Sequence, residues 1–268
     1  MIDRLKDLWL HRELLWNMTV KELKVKYKRS VLGFVWSFMN PVIMLAVFSL
    51  VFTLLVKNNM QWFSVFLMSG LLPWMFFVNS LMQSVGSIVN NPGLVKKVYF
   101  PREVLPLAAV GANIFHFLMQ MLVFFVFLLI LRWHFSPYLA LFPLVMLVEV
   151  CFATGMALFV SAANVYLRDV QHFVELATMA WFWITPIVYP MSLLMGKFEK
   201  YVPLYLLNPM ANIVLMWQYI IYNPNHYGPE AAYISFWGVL GTSVGSVLIL
   251  VIGYYFFAKT ERGFAEQI

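Results

Sequence analysis

Residues 104–131 read VLPLAAVGANIFHFLMQMLVFFVFLLIL and contain no Asp, Glu, Lys or Arg. About 20 consecutive apolar residues suffice for a helix that crosses a bilayer, so this segment alone predicts a membrane span. Of the 268 residues, 62% are hydrophobic and only 11% are charged, whereas soluble domains carry about 25% charged residues. We therefore predict an all-α integral membrane protein. The composition excludes an ordinary soluble enzyme and a disordered chain, and a single cysteine, Cys151, excludes a disulfide scaffold.

Five further windows with few or no charged residues are also predicted to be spans. The six predicted transmembrane helices cover residues 33–56, 62–86, 104–131, 139–165, 173–189 and 236–258. They use most of the chain, which predicts a single transmembrane domain, 1–268, without a sizeable soluble domain. Glu149 and Glu175 lie inside or at the edge of this set, where carboxylates must face protein or water.

The basic residues are distributed unequally between the two sides that these spans define. With the N-terminus inside, 14 of the 18 Lys and Arg residues lie on the inner side and 4 on the outer side. Because positive charge concentrates on the cytoplasmic side, both termini are predicted to be cytoplasmic. The net charge of +6 therefore indicates a membrane edge, and we predict no nucleic-acid partner.

Residues 1–30 are predicted to form an amphipathic interface helix and not a cleaved signal peptide, because acidic residues interrupt them. Tryptophans on one side and lysines on the other are typical of a helix lying at headgroup depth. A soluble helix packed on a partner is the alternative. The apolar side comprises Ile2, Leu5, Leu8, Trp9, Trp16, Val20 and Leu23, with Arg12 as the exception.

Residues 201–222 form an uncharged segment that is long enough for a seventh span. Pro203, Asn208-Pro209 and Asn223-Pro224 interrupt the segment and its C-terminal flank, which favours two short re-entrant helices over one continuous span. Six spans follow from that interpretation.

Common motifs for nucleotide binding, metal binding and catalysis are missing from the sequence. It contains no GxxxxGK[ST], HExxH, CxxC or GxSxG, and its five histidines are scattered, so neither an ATP site nor a metal site is predicted. An embedded enzyme would have to use one cluster of side chains, which comprises Arg168, Asp169 and His172. The end of a helix, capped by Asp169, is a better explanation for the presence of these residues than a catalytic site.

Two basic segments lie at the predicted inner surface. Lys26, Tyr27, Lys28 and Arg29 lead into the first span and could bind a pyrophosphate headgroup, or could be only a positive-inside anchor. The second segment, NNPGLVKKVYFPREVLP at residues 90–106, begins with a helix-breaking Asn-Pro-Gly. A short helix with exposed apolar and basic side chains would follow, and another protein could dock on it. The alternative is a loop with a polar turn and no docking role. The residues concerned are Asn91, Gly93, Leu94, Val95, Lys96, Lys97, Val98 and Tyr99.

Five segments resemble the membrane subunit of polysaccharide-exporting ABC transporters, the type-2 exporters of lipid-linked O-antigen, teichoic acid or capsule. They are KYKRSVLGFVWSFMNP (26–41), GLLPW (70–74), KKVYFPREVLP (96–106), YLRDV (166–170) and FAKTERGFAEQI (257–268). Each motif alone is weak, but five in order along the whole chain are specific.

The resemblance implies a homodimer in the bacterial inner membrane, with two copies of a separate cytoplasmic ATPase. This chain would bind no cofactor, because ATP and Mg²⁺ would bind the partner. Residues 90–100 would be the coupling helix that enters the ATPase, and residues 201–222 would shape the external gate. The headgroup of a polyprenyl-pyrophosphate glycan would meet the basic residues at 26–29 while the polymer passes between the subunits.

A sugar polymer would pass along aromatic walls, since sugar C–H faces stack on rings. Trp74 and Trp181, beside Pro73 and Pro186, are the first candidates. The full set of predicted path residues is Trp36, Trp74, Phe77, Trp181, Phe182 and Trp183.

Two other classes of function remain open at this point. An exporter of a small amphiphile or drug would share the fold. A membrane enzyme or an ion-coupled carrier would use Glu149 and Glu175.

Overall fold

The computed structural model describes residues 2–27, 35–51, 62–222 and 234–268. The described chain is all helical, as predicted, and contains no strand. Its α-helices are α1 (Ile2–Leu10), α2 (Arg12–Tyr27), α3 (Trp36–Leu50), α4 (Phe63–Val85), α5 (Pro92–Lys97), α6 (Val104–Ile130), α7 (Phe142–Tyr166), α8 (Val170–Ile184), α9 (Met191–Phe198), α10 (Val202–Tyr205), α11 (Pro209–Tyr222), α12 (Phe236–Thr260) and α13 (Phe264–Gln267). Short 3₁₀ turns at Pro137–Leu141, Glu199–Tyr201 and Glu261–Gly263 precede α7, α10 and α13.

Four helical segments within the described chain are long and apolar enough to cross a membrane. They are Phe63–Val85, Val104–Ile130, Pro137–Tyr166 and Phe236–Gln267. These segments coincide with four of the predicted spans, at 62–86, 104–131, 139–165 and 236–258.

The other two predicted spans differ from the described helices. For 33–56, the structure describes the 15-residue α3, and residues 52–61 lie outside the described chain. For 173–189, the prediction was too long at its C-terminal end, because α8 ends at Ile184 after 15 residues, or about 22 Å. Thr185 is extended (φ −103°, ψ 137°) in front of Pro186, and a residue before proline is disfavoured in the α conformation.

The N-terminal segment consists of two helices, α1 and α2, that meet at His11. Backbone hydrogen bonds from His11 N to the Asp7 oxygen (3.1 Å) and from Leu15 N to the His11 oxygen (3.0 Å) continue across the junction, and the amphipathic interface helix stays a prediction. Trp9 and Trp16 are 68% and 66% exposed, whereas Thr19 is buried against α6. The Arg12 guanidinium carbon lies 5.4 Å from the Trp9 ring centroid, so the cation on the apolar side is accommodated by a cation–π contact.

The closest helix crossing joins α7 to α12 through two glycines. A Cβ atom on Gly155 would lie 2.6 Å from backbone atoms of Ile249 and Leu250, and one on Gly253 would overlap the carbonyl oxygen of Gly155. Small residues let helix backbones approach closely in membranes, where packing holds helices together. The α12 helix packs on α7 more extensively than any other pair of elements does.

The predicted re-entrant region, residues 201–222, contains the helices α10 and α11, and α11 is almost completely buried. It runs antiparallel to the first half of α4: the ring centroids of Tyr222 and Phe66 are 5.7 Å apart, and Gln218 lies beside Gly70. At the other end, the Trp181 indole donates to Asn208 Oδ1 (2.9 Å) just before α11 begins. The α11 helix therefore lies beside only part of α4.

Candidate functional site

The short helix α5 follows α4 at the end of the bundle where α12 also ends. Pro92 begins the helix, and Asn91 donates from Nδ2 to the carbonyl oxygen of Ser87 (2.8 Å) in the turn that follows α4. The helix ends where Val98 becomes extended (φ −122°, ψ 135°). We refer to residues 91–99 as the docking segment.

The docking segment has a buried side and an exposed side. Val95 is only 3% exposed and Leu94 is half-buried, so the prediction that both present an apolar docking face was wrong for Val95. Lys96 and Lys97 are exposed, and Tyr99 is 97% exposed. The surface available to a partner therefore carries two lysines, the Tyr99 ring and Val98, which is 51% exposed, and Gly93 adds an unobstructed backbone position.

The C-terminal residues support the docking segment from behind. Phe264 is completely buried in the same apolar cluster as Val95, and its ring centroid lies 5.4 Å from that of Phe257. Two hydrogen bonds hold this tail: Tyr166 Oη donates to the Thr260 carbonyl oxygen (2.7 Å), and Arg102 Nη1 donates to that of Glu261.

Sequence reasoning missed the supporting role of Arg102, Tyr166 and Phe264. All three lie in the motifs quoted above, at 96–106, 166–170 and 257–268, and only the fold brings these distant motifs together.

A cavity of about 420 Å³ opens beside Tyr99. Its charged lining residues carry both signs: Asp7, Arg102, Glu103, Glu261 and Arg262. The docking segment thus adjoins a recess that contains acidic and basic groups from three parts of the chain.

Four of the predicted path residues meet in one aromatic cluster. The ring centroid of Trp74 lies 6.4 Å from that of Trp181 and 5.9 Å from that of Phe182, and Phe77 lies 5.3 Å from Trp181. Trp74 and Phe77 are buried within the protomer, whereas Trp181 is half-buried.

The two other predicted path residues are exposed. Trp36 on α3 is 45% exposed, and Trp183, which contacts Phe182, is 65% exposed. An aromatic path remains a prediction for all six residues.

The predicted headgroup site lies largely beyond the described residues. Lys26 and Tyr27 end α2, and Lys28 and Arg29 lie outside the described chain. The site therefore remains a prediction.

Glu149 is fully buried in α7, where its Oε2 accepts a hydrogen bond from the Trp217 indole (2.7 Å). Glu175 is exposed on α8, so the two carboxylates do not form a pair. Within the described ranges no group of three or more His, Cys, Asp or Glu side chains could hold a metal ion. Asp169 precedes α8, but its side chain makes no capping hydrogen bond, which corrects the predicted cap.

Apolar helices of spanning length, a basic docking segment and a supporting tail define an integral membrane protein with a surface suited to a soluble partner. The family to which the chain belongs is the ABC-2 type transporter family, whose sequence model matches residues 13–222. The resemblance noted in the sequence is thereby confirmed.

Relatives that are similar along the whole chain agree with this assignment. An O-antigen export system permease protein of Myxococcus xanthus is 32% identical over 100% of both chains. One from Klebsiella pneumoniae is 33% identical over 95% of this chain and 94% of its own. A polysialic acid transport protein of Escherichia coli is 22% identical over 73% of this chain and 76% of its own. Permeases of ABC-2 transporters are not enzymes themselves, and ATP hydrolysis belongs to a separate ATP-binding subunit.

Proposed function

We propose that the protein is the transmembrane subunit of an ATP-driven exporter of polyprenyl-pyrophosphate-linked polysaccharide. The cargo would be of the O-antigen or teichoic-acid type and would cross the bacterial inner membrane. The observation that carries this proposal is the similarity, along 95% or more of this chain, to proteins named as O-antigen export permeases. The more distant similarity to a polysialic acid transport protein supports a polymer as the class of cargo.

The proposed assembly contains two copies of this chain, each with six spans, both termini in the cytoplasm and one ATP-binding subunit. The α8 helix carries a strip of exposed apolar side chains: Phe173, Leu176 and Met179 are 71%, 66% and 64% exposed. In a membrane-embedded assembly this strip would contact either lipid or the second copy of the chain. Residues 201–222 would form the re-entrant external gate, and the position of α11 beside only part of α4 supports this proposal.

The proposed mechanism moves only the polar part of the cargo through protein. The polyprenyl tail stays in lipid, the pyrophosphate meets Lys26, Tyr27, Lys28 and Arg29, and the glycan passes between the subunits along aromatic side chains. When ATP closes the partner subunits, they pull on the docking segments. The protein then shifts between conformations because the ATP-bound partner has different affinities for them.

The cargo is tested by depleting the protein from its host. We expect polyprenyl-pyrophosphate-linked glycan to accumulate on the cytoplasmic side and surface polysaccharide to decrease, as measured by mass spectrometry of extracted lipids. Re-expression should reverse both changes. No accumulation, together with unchanged surface polysaccharide, would instead favour export of a small amphiphile.

The docking segment is tested by the double substitution Lys96→Glu and Lys97→Glu. Both lysines are exposed, so the protein should still insert and fold, while reversed charge at an interface repels the complementary surface. We expect export to fall at least about tenfold, equivalent to roughly 1.4 kcal/mol, and less ATP-binding subunit to co-purify.

The control reverses one other exposed charge, with Arg132→Glu. Arg132 lies on the predicted outer side, outside the docking segment and the proposed gate, so this variant should export normally. Normal export with both docking lysines reversed would remove the assignment of residues 91–99.

A further inference from the structure

The α2 helix contacts both the docking segment and the membrane-embedded helices. Lys21 Nζ donates to Asn91 Oδ1 (3.3 Å) at the start of the docking segment. Two residues earlier, Thr19 packs so closely on α6 that a Cβ atom on Gly111 would lie 3.1 Å from its hydroxyl oxygen. The α2 helix is thus positioned to connect the ATPase surface to α6.

A chain of side-chain hydrogen bonds joins α2, α4 and α6. Gln83 Nε2 on α4 donates to Glu22 Oε2 on α2 (2.8 Å), and Asn113 Nδ2 on α6 donates to Gln83 Oε1 (2.8 Å). Asn113 is only 3% exposed and also donates to the carbonyl oxygen of Ala109 (2.9 Å). Gln83 is therefore the central member, because its amide uses its donor toward one helix and its acceptor toward the other.

The end of α4 that carries Gln83 is also held by its other neighbours. Ser84 Oγ donates to the carbonyl oxygen of Pro106 (3.3 Å), and Asn164 Nδ2 on α7 donates to that of Val85 (2.9 Å). A displacement of the docking segment, which follows α4 after a turn at residues 86–90, therefore acts on an end of α4 that its neighbours hold in place. Apolar contacts alone would let α2 slide over this end of α4, whereas directional hydrogen bonds in a partly buried network specify one arrangement.

We propose that Gln83 is a positioning residue for export: it makes α2 move together with the docking segment, α4 and α6 when the ATP-binding subunit changes state. The inference rests on the proposed function for its export measurement. Loss of the linkage would allow ATP hydrolysis to continue with less cargo moved per ATP.

The test uses the complete complex with its ATP-binding subunit and compares four variants. Gln83→Glu places a second carboxylate beside Glu22, so we expect polysaccharide exported per ATP hydrolysed to fall about tenfold. Glu22→Gln alone keeps a donor and an acceptor at both positions and should stay within about twofold of wild type. Combining Glu22→Gln with Gln83→Glu restores a hydrogen-bond donor opposite an acceptor. The amide introduced at position 22 and the amide of Asn113 can then both donate to the new carboxylate, so polysaccharide exported per ATP hydrolysed should recover.

Gln83→Leu distinguishes the linkage from a general effect on folding. It removes both hydrogen bonds at similar volume, so Glu22→Gln should not rescue it. A folding defect would lower export and ATP hydrolysis together and leave their ratio unchanged. A normal ratio in Gln83→Glu, or a lowered ratio that Glu22→Gln fails to rescue, would overturn the inference.

A distance measurement separates this inference from the proposed cargo. In a Cys151→Ser background, spin labels at Asn17 and Asn90, which are both exposed and lie outside the docking segment, report the separation of α2 from the start of that segment by double electron–electron resonance. We expect the same distance within one protomer with and without ATP in the otherwise wild-type sequence, and a broadened distance in Gln83→Glu. If the wild type exports no polysaccharide, the proposed function fails, while an unchanged distribution in Gln83→Glu would overturn the linkage itself.

Discussion

Gly253→Ala is expected to destabilise the protein more than the same change at any other glycine of the described helices. The added methyl group would overlap the carbonyl oxygen of Gly155, which belongs to the backbone of α7 and cannot rotate away. Overpacking of a close contact costs about 1–3 kcal/mol, and here the α7–α12 crossing must open to accept the methyl group. The midpoint of thermal unfolding of the purified protein should fall accordingly.

Gly245→Ala is the matched control in the same helix. No heavy atom lies within 4 Å of a Cβ atom at Gly245, so only the helical preference of alanine over glycine should act, worth about 1 kcal/mol in the stabilising direction. The two substitutions are therefore expected to shift stability in opposite directions. Equal unfolding midpoints would show that α7 and α12 do not cross at Gly155 and Gly253.

Trp217→Ala is expected to release α11 from the bundle. The Trp217 ring is fully buried, with its centroid 4.9 Å from that of Phe142 and 5.4 Å from that of Phe117. Loss of a buried Trp side chain costs about 3–5 kcal/mol. The substitution also removes the indole N–H that donates a hydrogen bond to Glu149. Limited proteolysis and thermal unfolding should both report the change, and export should fall with them.

Two comparisons separate the contributions of the Trp217 ring. Trp217→Phe keeps an aromatic ring at this position and removes the indole donor together with part of the ring volume, so a loss of about 1–3 kcal/mol is expected. Trp183→Ala removes a 65% exposed ring and should leave the unfolding midpoint nearly unchanged. A Trp217→Ala protein as stable as Trp183→Ala would contradict the packing described for α11.

The longest helices could be predicted because their sequence signal is local. Four windows with at most one charged residue each coincide with helices of spanning length, since a helix in lipid must be apolar along its own length. The end of α8 was missed because the window counted charge and ignored Thr185-Pro186, where the backbone leaves the helical conformation.

The site was harder to predict because its contacts are distant in sequence. The exposed lysines of the docking segment follow from its own residues, but the burial of Val95 depends on Phe264, and the position of Gln83 depends on Glu22. Likewise, proline neighbours suggested Trp74 and Trp181 separately, and only the fold shows that their rings lie 6.4 Å apart.

The packing of Phe264 behind Val95 also has a consequence for biogenesis. The ribosome makes the docking segment early, but one part of its apolar support, Phe264, is made only after α12, the last described span. Until then the cluster around Val95 lacks Phe264, and a nascent chain would offer the ATP-binding subunit an incomplete docking surface. Recruitment of the ATP-binding subunit would thus await insertion of the final span, which would keep that subunit from hydrolysing ATP on half-made permeases.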